Sequence, residues 1–254
     1  MNKHHLFIKL FLLTALIVCA FPVSQVAGSK AYAQQSNAQE LYDTAKRDYE
    51  AGEYRKALDV IEDLLKTDSG YAPAFSLKYK SLIGLFIKTP PLLPGEVDSP
   101  DARRERKIRQ AKLLKEAADS LERFLQLKPD ATGADELRDQ LNSLRVYAEP
   151  ATRPESEWTI FSQGEVTEKA HLLRKPPPRY PEEARAARVR GTVKLLVVLA
   201  ADGTTKHILI LESPNHWLTE ASAEAARKIN FEPAIKDGHP VAVALWIEYG
   251  FETY

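Results

Sequence analysis

Residues 191–211 read GTVKLLVVLAADGTTKHILIL, and this stretch decides the fold. Val193, Leu195, Val197 and Leu199 recur at every second position, which sets them on one face of a strand. Leu196 and Val198 give the other face some apolar cover. Asp202-Gly203 then signals a hairpin, because a tight reversal selects residues that tolerate positive φ. On the return strand Ile208 and Ile210 share one face, and Leu209 and Leu211 share the other.

Working outward, Pro176-Pro177-Pro178 is stiff and extended. Tyr180-Pro181-Glu182-Glu183-Ala184 starts a helix, with proline at its first position and acids in its first turn. Gly191 is expected to end it. Beyond the hairpin, Leu218, Ala221, Ala225 and Ile229 follow helical spacing, and Phe231-Glu232-Pro233-Ala234 breaks the pattern. Asp237-Gly238 offers another turn. Val241, Val243, Leu245, Ile247, Tyr249 and Phe251 then alternate without a fault, as a long strand with one buried face does. The order helix, two strands, helix, strand predicts a small α+β domain with an antiparallel sheet and two helices.

Tyr180-Pro181 before a helix, Gly191-x-Val193, Asp202-Gly203, Phe231-x-Pro233-Ala234 and Gly238-x-Pro240-Val241 form an ordered set. In order and spacing this set resembles the TonB C-terminal domain family, from about Gly164 to Phe251. The resemblance implies a non-catalytic periplasmic domain that grasps an extended segment of an outer-membrane transporter, by pairing it with a sheet edge. On that reading Val241, Val243, Leu245 and Ile247 are the edge, and Arg179, Tyr180 and Pro181 lie near the binding region. Gly191, Asp202, Gly203, Phe231, Pro233, Ala234 and Gly238 are then the structural motif. Tyr180 and Phe231 also read as core aromatics, and residues 241–251 as a core strand. A long terminal strand with a free edge needs protection or a partner. That partner is a transporter segment, another envelope protein, or a second copy forming a homodimer through this sheet.

The first half of the chain reads differently. Leu41, Ala45 and Tyr49 form one helical stripe, and Ala57, Ile61, Leu64 and Leu65 a second, separated by Gly52-Glu53-Tyr54. Gly52-Glu53-Tyr54-x-x-Ala57-Leu58 resembles the middle of a tetratricopeptide repeat. Ala45 departs from the glycine and Ser69 from the proline that the repeat prefers. Tyr71, Phe75, Leu82 and Phe86 begin a second hairpin, which Ala117, Leu121 and Phe124 complete. A proline-rich loop from Pro90 to Pro100 and a basic helix extension lie between them. A further helix is expected over 135–147. Arg103, Arg104, Arg106, Lys107, Arg109, Lys112 and Lys115 crowd the extension, as a solvated face or as a docking surface for an acidic partner. Eight cations against Glu182 and Glu183 over residues 169–194 pose the same choice around Tyr180-Pro181.

At the start, Lys3 and Lys9 precede an apolar run from Leu10 to Phe21, and Ala31-Tyr32-Ala33 is a small-x-small cleavage signature. This predicts a signal peptide over 1–33 and a periplasmic protein; retention would instead leave an inner-membrane anchor facing the periplasm. Cys19, the sole cysteine, lies in that leader. The leader holds three lysines and no acid. Removing it from 35 basic and 35 acidic side chains leaves 32 and 35, a net of −3 that argues against nucleic-acid binding. His171, His207, His216 and His239 show no metal-ligand spacing, and no phosphate loop or nucleophile elbow is present. No cofactor, metal or enzymatic activity is expected.

The expected architecture is α + (α+β): leader 1–33, TPR-like αα-hairpins 36–147 with a loop insertion at about 88–102, linker 148–163, and a TonB-type domain 164–254. The function this implies is that of a protein-binding component in outer-membrane transport, with the helical repeats as a second docking surface. A membrane-anchored transducer coupling the proton-driven motor to outer-membrane receptors, and an assembly scaffold without a transport role, are the alternatives. The leader contains no Ser-x-x-x-His pattern, and helical hairpins replace the long proline-rich spacer of energy-transducing TonB proteins. Mass spectrometry of the N-terminus of protein taken from its native envelope is expected to find Gln34 first. A start at Met1 or Asn2 in the membrane fraction would select the transducer.

Overall fold

The computed structural model describes residues 23–89 and 98–252, with side chains from Gln35 onward. Most of the expected leader, and residues 90–97 of the proline-rich loop, lie outside the described residues. Among the described residues no helix is long and apolar enough to cross a membrane.

Five helices come first: α1 (Val23–Glu50), α2 (Tyr54–Thr67), α3 (Ala72–Lys88), α4 (Pro100–Leu127) and α5 (Ala134–Tyr147). Gly52, at φ +74°, lets α1 stop and α2 start within three residues. Ser99 caps α4 by accepting from the Ala102 amide, and Pro100 fills its first position. Ala45, Ile61, Leu64, Ala74 and Leu77 form the core between α1, α2 and α3. Gly84 admits the Tyr54 ring so closely that a Cβ there would lie 2.4 Å from it. The Lys88 ammonium sits 4.9 Å over that ring and donates to the Gly52 carbonyl at 2.8 Å, fixing the corner.

The segment expected as a linker holds α6 (Glu149–Thr152), a 3-10 turn (Glu155–Glu157) and the two-residue strand β1 (Ile160–Phe161). There follow β2 (His171–Arg174), α7 (Glu182–Ala186), β3 (Gly191–Leu199), β4 (Thr205–Glu212) and α8 (His216–Arg227). The chain continues with β5 (Asn230–Glu232), β6 (Ala234–Lys236) and β7 (His239–Phe251). The main sheet runs β1-β7-β3-β4, with β6 also on β7, while β2 and β5 pair separately. The expected antiparallel sheet is therefore mixed, because β1, from the segment expected as a linker, lies parallel to β7. Helix α7 ends before Gly191: Arg188 takes φ +52° and the chain turns there. Gly191 instead opens β3 at φ +135°, where a Cβ would meet Pro214 at 2.7 Å.

Both faces of the sheet are covered. Val193, Leu195, Val197, Leu199, Val243 and Ile247 face a core closed by α7 and α8, through Ala184, Leu218, Ala225 and Ala226. Leu196, Val198, Leu209 and Leu211 share the opposite core with Leu82, Phe86, Leu114, Leu121 and Leu144 of α3, α4 and α5. The helical half is thus the third layer of the sheet.

Helix α5 also closes one edge. A bulge between Leu196 and Val198, opposite His207 at φ +47°, turns the carbonyls of His207 and Ile208 toward α5. Tyr147 donates its hydroxyl to the His207 carbonyl at 2.8 Å. The Gln140 side-chain amide donates to the Ile208 carbonyl at 3.1 Å and accepts from the Ile210 N–H at 2.7 Å. It stands where a neighbouring strand's peptide group would be. Gln140→Ala is expected to destabilise the protein by about 1–3 kcal/mol in urea unfolding, the cost of stranding the part-buried Ile210 N–H and leaving the Ile208 carbonyl only the 3.5 Å bond from the Ser143 hydroxyl. Amide exchange should accelerate first at Ile210.

Candidate functional site

The remaining edge belongs to β7. Ile208 and Ile210 direct their backbone groups to Gln140, so Leu209 directs its own toward β3. Following the alternation through Leu196↔Leu209 and Leu195↔Ile247, the odd residues of β7 bond to β3 and the even residues point outward. Consistent with this, the outward Glu248 carbonyl accepts from the Lys175 ammonium at 3.1 Å. On the side away from β3, β1 pairs with Ala242 and Val243, and no described strand pairs with residues 244–251 there. The Ala244 N–H faces the Phe161 carbonyl of β1, so the open edge presents the Ala244 carbonyl and the backbone of Trp246, Glu248 and Gly250.

Of the residues expected on the edge, Val243 has strands on both sides, pairing with Leu199 and with Phe161, and is fully buried. Val241 pairs with Ala234 of β6. Leu245 and Ile247 lie within the open stretch, but their backbone groups serve β3, and the outward groups are those of their even-numbered neighbours. Trp246 flanks this edge on the helical side, 43% exposed and stacked on Phe86 of α3 at 5.9 Å. Lys175 guards it as edge lysines do, with its ammonium 5.2 Å over the Tyr249 ring. Burial pushes the Tyr249 phenol up to about 12.

Tyr180 and Arg179 separate in role. The Tyr180 hydroxyl donates to the Val189 carbonyl, its ring packs edge-on to Phe251 at 5.6 Å, and the Arg185 guanidinium lies over it. This ties the α7 loop to the end of β7. Pro181 caps α7, while Arg179 lines an open cavity of about 390 Å³ with Trp217 and the acids of α7 and α8. The motif residues shape the chain. Asp202 accepts from Thr204 and Lys206, and those bonds hold its carboxyl down to about 2. Gly203 and Gly238 take positive φ in their turns. Phe231 pairs with Leu172, Pro233 separates β5 from β6, and Ala234 is fully buried.

The basic face of α4 is largely paired within the chain: Arg103 with Asp98, Arg104 with Glu155, Lys107 with Glu165, and Lys115 with Asp119. Sequence reasoning counted Lys175 only among the eight cations of residues 169–194, without its place on the β7 edge, and did not find Trp246 or β1. The apolar residues on the second face of β3 and β4 were the signal that another layer covers it. Among the described residues no group of three or more His, Cys, Asp or Glu could hold a metal ion.

A family model described as the Gram-negative bacterial TonB protein C-terminal matches residues 176–253. The TonB protein of Pseudomonas aeruginosa is 38% identical over 71 residues, covering 28% of this chain and 21% of that protein. That of Vibrio cholerae is 35% identical over 105 residues, 38% of this chain and 43% of that protein. The chain thus spans less than half the length of the curated relatives it matches. The solution NMR structure of the P. aeruginosa TonB C-terminal domain is 32% identical, covering 34% of this chain and 89% of that one, with a TM-score of 0.28. Domains of this family are non-catalytic binding modules implicated in periplasmic protein–protein interaction.

Val243→Pro is expected to unfold the C-terminal half, because it removes a donor from a doubly paired strand and a fully buried side chain. Glu248→Pro removes an outward N–H only, so its circular dichroism and thermal midpoint should stay close to wild type.

Proposed function

We propose, on the premise that residues 176–253 form a TonB-like C-terminal domain homologous to the TonB proteins, that this chain captures an extended protein segment along Ala244–Gly250 of β7. It does so as a periplasmic, non-catalytic component of outer-membrane transport. The observation that carries the reading is the inequality of the two sheet edges. That of β4 is closed by Gln140 and Tyr147, whereas that of β7 carries no described strand beyond Val243. An added strand would gain ladder hydrogen bonds from Ala244, Trp246, Glu248 and Gly250, and an apolar contact from the exposed indole of Trp246. The Glu248 carbonyl would exchange its lysine for a peptide N–H.

The helices are the second docking surface in this proposal. They share a core with the sheet, so a protein held by the hairpins is coupled to one held at the edge without an intervening flexible tether. A second copy of the chain would have to compete for the same stretch of β7, since α5 occupies the β4 edge.

The test places a photo-crosslinking side chain at Gly250, where an added Cβ meets nothing within 4 Å. Irradiation in cells followed by mass spectrometry should yield adducts to an extended segment of an outer-membrane transporter, and Glu248→Pro should cut their yield at least tenfold. Adducts that persist in the folded Glu248→Pro variant, or that map to the surface of a folded domain, would overturn the assignment.

A further inference from the structure

The strand β1 is too short to hold its own place. Two residues of parallel pairing fix Ile160 opposite Ala242 and Phe161 opposite Val243, on the same edge of β7 that is open from Ala244 onward. Its position comes from side chains on other elements. Lys107 of α4 donates to the Ile160 carbonyl at 3.0 Å and to both Glu165 carboxylate oxygens, at 3.2 and 3.0 Å. Its ammonium lies 4.6 Å over the Trp158 ring and 5.7 Å over Phe161. From the other side Lys236 of β6 sits 5.0 Å over Phe161 and donates to the Glu165 carbonyl.

Glu165 completes the clasp. Burial raises its pKa, but its bond from the Ser162 amide, at 2.6 Å, and the Lys107 charge together bring it below the ordinary carboxylate value. The pair Lys107–Glu165 is only about a quarter exposed, so it is screened less than a surface ion pair.

We propose that residues 158–165 are an intramolecular strap that competes with a partner strand for β7, and that Lys107 of the helical half sets the competition. This rests on the reading of the β7 edge as the capture site. With the strap in place a partner strand starts at Ala244; with it released the edge lengthens to Ala242. Because Lys107 belongs to α4, whatever moves that helix, including a protein docked on the hairpins, changes the length of edge on offer. The coupling has a physical carrier: of the two ammoniums that hold this two-residue strand, that of Lys107 lies on α4.

The probe is a labelled synthetic peptide reproducing residues 157–164 of this chain, added in trans to the full-length protein. Hydrogen exchange of the unliganded protein is followed beside it. In Lys107→Met, exchange across 158–163 and 241–244 should rise at least tenfold, with α8 and β4 unchanged. The peptide would itself use Lys107, through the groups of Trp158, Ile160 and Phe161, so its affinity is compared in Glu165→Gln, a position the peptide lacks. There it should rise by the factor by which exchange rises, because binding scales with the fraction of molecules whose slot is open. In Glu165→Gln the exchange gain is expected in the same two segments by a smaller factor, which keeps the test open if Lys107→Met disturbs folding. Unchanged exchange in both segments overturns the strap; faster exchange with no gain in peptide binding overturns the competition. Neither readout involves the partner captured at Gly250, so failure here and failure of the capture site are distinguishable.

Discussion

The constraint on which this structure depends is that its sheet is apolar on both faces. Leu196, Val198, Leu209 and Leu211, none more than 7% exposed, point away from α8 and must be covered by something else. At about 2 kcal/mol for each buried aliphatic side chain, they contribute on the order of 8 kcal/mol. That is comparable with the whole net stability of a typical domain, about 5–15 kcal/mol. The helical half is therefore bound to the sheet by a shared core. It brings α5 to the edge of β4 and α4 to the start of β7, so the state of each edge follows from that packing.

How the two edges are treated shows what a helix can and cannot do for a strand. Helix α5 offers β4 one amide side chain, one phenol and one serine hydroxyl, and the bulge at His207 gathers the carbonyls they need into reach. Side chains at fixed helical spacing can satisfy such a cluster, but they cannot match a ladder repeating over several residues. Along β7 the repeat is long and regular, and α4 serves it only indirectly, through a two-residue strand. Lys175 covers one further carbonyl.

Much of this was legible in the sequence. The alternation of residues 193–199 and 241–251, the two Asp-Gly turns and the helical stripes of 36–147 all correspond to elements, because each is a local periodic signal. The finer identity of the helices as tetratricopeptide repeats is not carried by their packing alone. The candidate site was less legible, since whether a strand is an edge depends on what lies beside it. Val243 reads like Leu245 in sequence, yet the first has neighbours on both sides and the second does not on its outer side. The strap was hidden for a different reason. Two residues show no period, and the lysine that holds them is about fifty positions away, inside a basic run that reads as a solvated face.

That basic run has a consequence for recognition. With Arg103, Arg104, Lys107 and Lys115 each beside a carboxylate of the same chain, α4 presents charge pairs rather than a cationic field. Long-range attraction of an acidic partner by this helix is correspondingly weak, and salt reduces it further. Recognition at the β7 edge then relies on contact: main-chain hydrogen bonds that any extended sequence can make, and one exposed indole that favours apolar side chains in register with Trp246. Backbone pairing discriminates by extension and by length more than by sequence. A strap that sets the length of edge on offer is therefore a means of selectivity that side-chain contacts at this edge would supply only in part.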